Sequence, residues 1–172
     1  MCRHLAYVGP PIAVSEPLLD ASHALVRQAQ NPRYQLSGED NPDGFGVVWY
    51  ERGTAHPWRY RTTMPMWLQP GLANAFVGVH AHALVAAARL ASPGLPIDVA
   101  NNAPFVSGHW SFSLNGQFAT SIACIYSPRQ RGQSCNRSIL FSACSIQTPP
   151  KHPSNGGRGM SRVRCNQYSR AY

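Results

Sequence analysis

Two hydrophobic periods run along the first two thirds of the chain. Leu18, Ser22, Leu25, Val26 and Ala29 recur at spacings of three and four, which gives one mostly apolar helical face. Ser15 stands where it can cap that helix, Pro17 falls in its first turn, and Asn31-Pro32 ends it. The β-type signals are denser. Phe45 to Tyr50 reads FGVVWY, and Trp58 to Thr63 alternates as a partner strand would. Arg3 to Val8, closed by Gly9-Pro10-Pro11, is a strand candidate almost at the N-terminus. Leu84 to Ala88 and Trp110 to Leu114 are two more, the second closed by Asn115-Gly116. The polar, turn-rich stretch from Gln35 to Gly44 predicts a surface loop. Several strands with two or so helices, in no strict alternation, predict an α+β sandwich.

From Gln117 onward the grammar changes. Ser, Arg, Gly, Pro, Gln and Cys dominate, and neither period persists past Tyr126. At 172 residues the chain is one domain or a domain with a tail. The predicted division is residues 1–116, folded, and residues 117–172, a basic acid-free tail, disordered or aberrant. Charge supports that division. Residues 1–116 carry seven arginines against all seven acids, whereas residues 117–172 carry seven arginines and Lys151 with no acid. The net charge of +8 therefore belongs wholly to the last third, where low Lys, high Arg and no Asp or Glu suit a frameshifted or truncated product. The rival reading is a solvated basic tail that touches RNA or an acidic surface.

Hydrophobic residues at 44% against 13% charged supply enough apolar material for a core. No apolar run reaches the length of a membrane-spanning helix. Arg3 and His4 are followed by a short mixed stretch rather than a signal-peptide core. The expected compartment is the cytosol, with no membrane partner. Cys124, Cys135, Cys144 and Cys165 lie in the tail without a Cys-x-x-Cys pair, so a zinc site is poorly supported and the thiols are expected to be free.

Cys2 is the strongest single chemical clue. A small residue after Met favours removal of the initiator, which would leave Cys2 with a thiol and an α-amine of pKa near ~8. Such an amine can act as general base for its own nucleophile. Against this stands chance, since an isolated cysteine is usually inert.

Context shifts the balance. MCRHLAYVGPP at the N-terminus, NPDGFGVVWY from Asn41, AAARLASPGLP from Ala86 and FSLNG ending at Gly116 occur in that order. Together they make residues 1–116 resemble the class II glutamine amidotransferases, which are N-terminal-nucleophile hydrolases, and more narrowly the amidohydrolase branch of ergothioneine biosynthesis. The resemblance implies a four-layer αββα sandwich, here truncated, and hydrolysis of a γ-glutamyl amide such as γ-glutamyl-hercynylcysteine S-oxide without metal or organic cofactor. Cys2 matches the nucleophile, and Asn115 with Gly116 matches the oxyanion-hole pair. Arg89 matches the clamp on the substrate α-carboxylate, a task suited to a planar fork, and Ser92 the hydroxyl beside it. Asp43 and Gly44 match the turn that packs against the nucleophile. Leu114 stands where the family commonly has His, and no acid follows Gly116 to hold the substrate α-amine.

Each residue also has a plainer reading. Asn115-Gly116 suits a tight hairpin turn, Arg89 a surface charge, and Asp43 a turn cap. His80 and His82 share a strand face, with no third ligand set by spacing. Trp49, Trp58, Trp67 and Trp110, with Phe45 and Phe112, are expected in the core rather than in a base-stacking platform. The rivals to a hydrolase are an inactive truncated relative and a nucleic-acid-binding chain acting through its tail. Nucleic acid is not the expected partner, and steep salt dependence of binding is what would favour it.

Overall fold

Two antiparallel four-stranded sheets organise the protein in the computed structural model. It describes residues 2–33, 40–54, 56–118, 139–147 and 162–170, with side chains up to Asn115. The first sheet has the order β1-β4-β2-β3, formed by β1 (Arg3–Ala13), β2 (Phe45–Tyr50), β3 (Trp58–Thr62) and β4 (His80–Ala88). The second has the order β5-β6-β7-β8, with β5 (Phe105–Ser107), β6 (Trp110–Phe118), β7 (Ile139–Gln147) and β8 (Arg162–Arg170). The architecture is α+β, as the patterning predicts. β7 and β8 fall in the segment where the sequence shows no sustained period. Cys124, Cys135 and Lys151, and residues 34–39 of the predicted loop, lie outside the described residues.

β4 shows why burial outranks propensity. Alanine is a poor strand former, yet Ala81, Ala83, Ala86 and Ala88 are fully buried in a strand flanked on both edges. Its two faces serve different layers. Leu84, Ala86 and Ala88 stand opposite Trp49, Val47 and Phe45, on the side where Leu18, Leu25, Ala29 and Phe76 pack. Ala83 and Val85 stand opposite Tyr50 and Val48, and this cluster takes in Ala6 and Val106 of β5. The first side is covered by helical turns; the second faces the other sheet. Each buried Val of this inner layer contributes about 1.5–3 kcal/mol.

Several boundaries differ from the sequence reading. β1 does not close at Gly9-Pro10-Pro11 but runs on to Ala13, through a register shift between Val8 and Ile12. A bulge absorbs residues that a regular ladder cannot pair. The predicted long helix is broken into a π-turn over Glu16–Asp20 and α1 (Leu25–Gln30). Pro17 sits in the first turn, but Ser15 makes no side-chain cap, and extended backbone at Ala21 and Ala24 separates the two pieces. A second short helix, α2 (Leu72–Ala75), follows a left-handed Gly71. Phe45, Trp49 and Trp67 join the core as expected, whereas Trp58, Trp110 and Phe112 are exposed. By strand alternation Trp110, Phe112 and Leu114 all lie on the face of β6 turned away from the first sheet. Among the described residues no helix is long and apolar enough to cross a membrane.

Candidate active site

Strand alternation assembles the site. β1 and β6 belong to different sheets, and His4 of β1 meets Ser113 of β6 at 2.6 Å between Nδ1 and Oγ. One alternation step back along β1 and one forward along β6 reaches Cys2 and Asn115. There the Asn115 Nδ2 donates to the Cys2 carbonyl at 2.9 Å, across 113 residues of sequence. The carboxamide has two N–H donors, so this bond leaves a second one beside the same residue. Asn115-Gly116 is thus inside a strand that continues to Phe118. The hairpin-turn reading of that dipeptide is overturned, because the chain stays paired with β7 through Ser142 and Phe141.

The Cys2 thiol is seated on main chain. Its Sγ donates to Leu90 O at 3.5 Å and accepts from Leu90 N–H at 3.4 Å. Leu90 leaves the end of β4, so the thiol is held where three segments meet: the start of β1, the end of β4 and the far half of β6.

Asp43 and Gly44 lock the same corner. Arg89 N–H donates to Gly44 O at 2.8 Å, and Asp43 N–H donates to Arg89 O at 3.1 Å. The Asp43 carboxylate accepts from Ala91 N–H at 2.6 Å, so it ties the strand exit rather than capping only its own turn. Ser92 follows in a turn in which Leu95 N–H donates to Ser92 O at 3.0 Å; the structure gives its hydroxyl no partner among the described residues.

Arg89 is a core residue, only 9% exposed, which corrects its reading as a surface charge. Its guanidinium donates to Asn102 Oδ1 at 3.4 Å and to Pro96 O at 3.1 Å. Both acceptors are neutral, and no carboxylate pairs with Arg89 among the described residues. A buried cation held by neutral oxygens retains most of its attraction for an anion. Chemically these segments offer a thiol, an amide donor and a guanidinium fork. Sequence reasoning missed Leu90, Asn102 and the His4–Ser113 pair. Asn102 had one legible signal, an Asn immediately before Ala-Pro that ends a turn.

His4 lies two residues along the chain from Cys2. Burial lowers its pKa from 6.5 to about 4, and its Nε2 has no hydrogen-bond partner among the described residues. The unfolded chain therefore binds a proton that the folded one refuses between those values. Unfolding free energy is expected to be steady above pH 6.5 and to fall by about 3 kcal/mol as pH drops to 4. His4→Gln should flatten that slope in urea titrations at stepped pH. An unchanged slope would place the linkage elsewhere.

No family model matches the chain. Over 116 residues, 67% of its length, it is 38% identical to the gamma-glutamyl-hercynylcysteine sulfoxide hydrolases of two Mycobacterium tuberculosis strains, covering 49% of each. It is 35% identical to the Mycolicibacterium smegmatis protein of the same name over 117 residues, 51% of that chain. Among solved structures, a glutamine aminotransferase class-II domain protein from Silicibacter pomeroyi matches 66% of the chain and 36% of its own, at 25% identity and a TM-score of 0.40. Over the matched segment this protein is a homologue of the gamma-glutamyl-hercynylcysteine sulfoxide hydrolases, and it spans about half the length of the curated relatives it matches.

Proposed function

We propose that the protein is a cysteine-dependent amidohydrolase acting on a γ-glutamyl amide, with γ-glutamyl-hercynylcysteine S-oxide, named by its relatives, as the physiological candidate. One observation carries the reading: the Asn115 carboxamide reaches Cys2 from the opposite sheet at 2.9 Å. A side-chain amide donor beside the thiol-bearing residue supports a role in stabilising the charge that develops when a thiol attacks a carbonyl. After removal of Met1, the Cys2 α-amine takes the thiol proton as Sγ bonds to the γ-carbonyl carbon. The oxyanion collapses, the C–N bond breaks, and the leaving amine takes that proton. Water then cleaves the γ-glutamyl thioester, which releases glutamate and restores the thiol. Arg89 binds the α-carboxylate and so selects which end of the substrate enters, with Ser92 beside it; Asp43 and Gly44 hold the corner. The steps use only a thiol, an amine and amide donors.

In this reading residues 1–116 carry every site residue, as part of an N-terminal-nucleophile αββα sandwich in a cytosolic protein, and β7 and β8 extend the sheet that holds Asn115. Intact mass before and after treatment with 6-diazo-5-oxo-norleucine tests it. The expected result is a chain lacking Met1 that gains one adduct, mapped to Cys2, as the thiol displaces N2. A chain that retains Met1, or a processed chain without an adduct, overturns the reading in favour of an inactive relative.

A further inference from the structure

The geometry points to Asn102 as the positioning residue that keeps Arg89 both oriented and electrically available, an inference that rests on Arg89 receiving the substrate carboxylate. Asn102 is fully buried. Its Nδ2 donates to Thr62 O at 2.6 Å and its Oδ1 accepts from Arg89 Nη1 at 3.4 Å. Each partner has a single role: a carbonyl only accepts and a guanidinium only donates. The carboxamide therefore has one allowed orientation. Its backbone is pinned as well, because Arg61 Nη1 donates to Asn102 O at 3.0 Å and Asn102 N–H donates to Val99 O at 3.1 Å.

The choice of amide over carboxylate has a consequence for specificity. Asp at this position would set a negative charge against Arg89 and an acceptor against the Thr62 carbonyl. The fork would then be occupied before any substrate arrived. A neutral oxygen fixes the fork without consuming its charge, so discrimination for an α-carboxylate resides in Asn102 together with Arg89.

Alkylation of Cys2 by two reagents separates this role from a merely structural one. 6-Diazo-5-oxo-norleucine carries the α-carboxylate, whereas iodoacetamide is small and neutral and reads the thiol alone. For Asn102→Asp, the diazo-ketone concentration giving half-maximal labelling should rise roughly 10–100-fold, with the iodoacetamide rate at Cys2 within about twofold of the parent. Asn102→Ala, which loosens Arg89 but keeps its charge, should show a smaller rise, and it carries the test if the Asp variant does not fold. Parent-like diazo-ketone labelling in both variants, or equal loss with both reagents, overturns the inference. If the unsubstituted protein reacts with iodoacetamide but not with the diazo ketone, the amidohydrolase reading itself fails and this inference falls with it.

Discussion

Cys2→Ser is expected to lower hydrolysis of a γ-glutamyl amide by about 10³-fold or more while leaving the fold intact. The serine hydroxyl is far less ionised than a thiol near neutral pH, so in the proposed mechanism the α-amine would have to remove a much more tightly held proton. The structural cost is small because the Cys2 contacts are modest. The thiol exchanges two long sulfur hydrogen bonds with the Leu90 main chain, at 3.4 and 3.5 Å, and a hydroxyl is able to make either. The Asn115 bond goes to the Cys2 carbonyl and is untouched by the substitution. Steady-state rates with a chromogenic γ-glutamyl anilide, alongside thermal unfolding, check both halves. Retention of more than a tenth of the activity would remove Cys2 from the mechanism.

The largest stability effect is expected at Gly44. Its φ of +103° lies in a region that residues with a Cβ rarely adopt. A Cβ there would collide with the Thr62 carbonyl oxygen and the Asn102 carboxamide nitrogen, and would sit 2.8 Å from Thr63 Cα. Two of these three obstacles are backbone, which cannot swing aside as a long side chain would. Gly44 O also accepts from Arg89 N–H, so any shift that relieves the collision loosens the corner holding Arg89 and Leu90. Strain and overpacking together are expected to cost about 3 kcal/mol or more, a fall in Tm of roughly 6–12 °C for a chain of this size. Gly71→Ala is the matched control. Gly71 also has a positive φ, +71°, but nothing lies within 4 Å of its added Cβ, so only the backbone part of the cost applies. Equal losses of Tm in the two variants would show that the packing around Gly44 is looser than these distances imply.

What the sequence by itself determined was local. FGVVWY, the alternation from Trp58 and the apolar run from Leu84 specified β2, β3 and β4, because burial of one or both sheet faces imposes a readable period on the chain. The order of four short motifs singles out Cys2, Arg89, Asn115 and the Asp43-Gly44 turn. Where local signals competed, tertiary context won. Ser15 and Pro17 announce one long helix, yet extended backbone at Ala21 and Ala24 divides it. Asn115-Gly116 has the chemistry of a turn, yet it sits in a strand because β7 offers a continuous edge to pair with. Only the tertiary structure could bring Asn115 to Cys2, since their meeting depends on how one sheet lies over the other and not on any spacing along the chain. The same holds for Asn102. Nothing local marks it as a partner of Arg89, because the partnership is made by two single-role groups, the Thr62 carbonyl and the guanidinium, that reach it from separate segments.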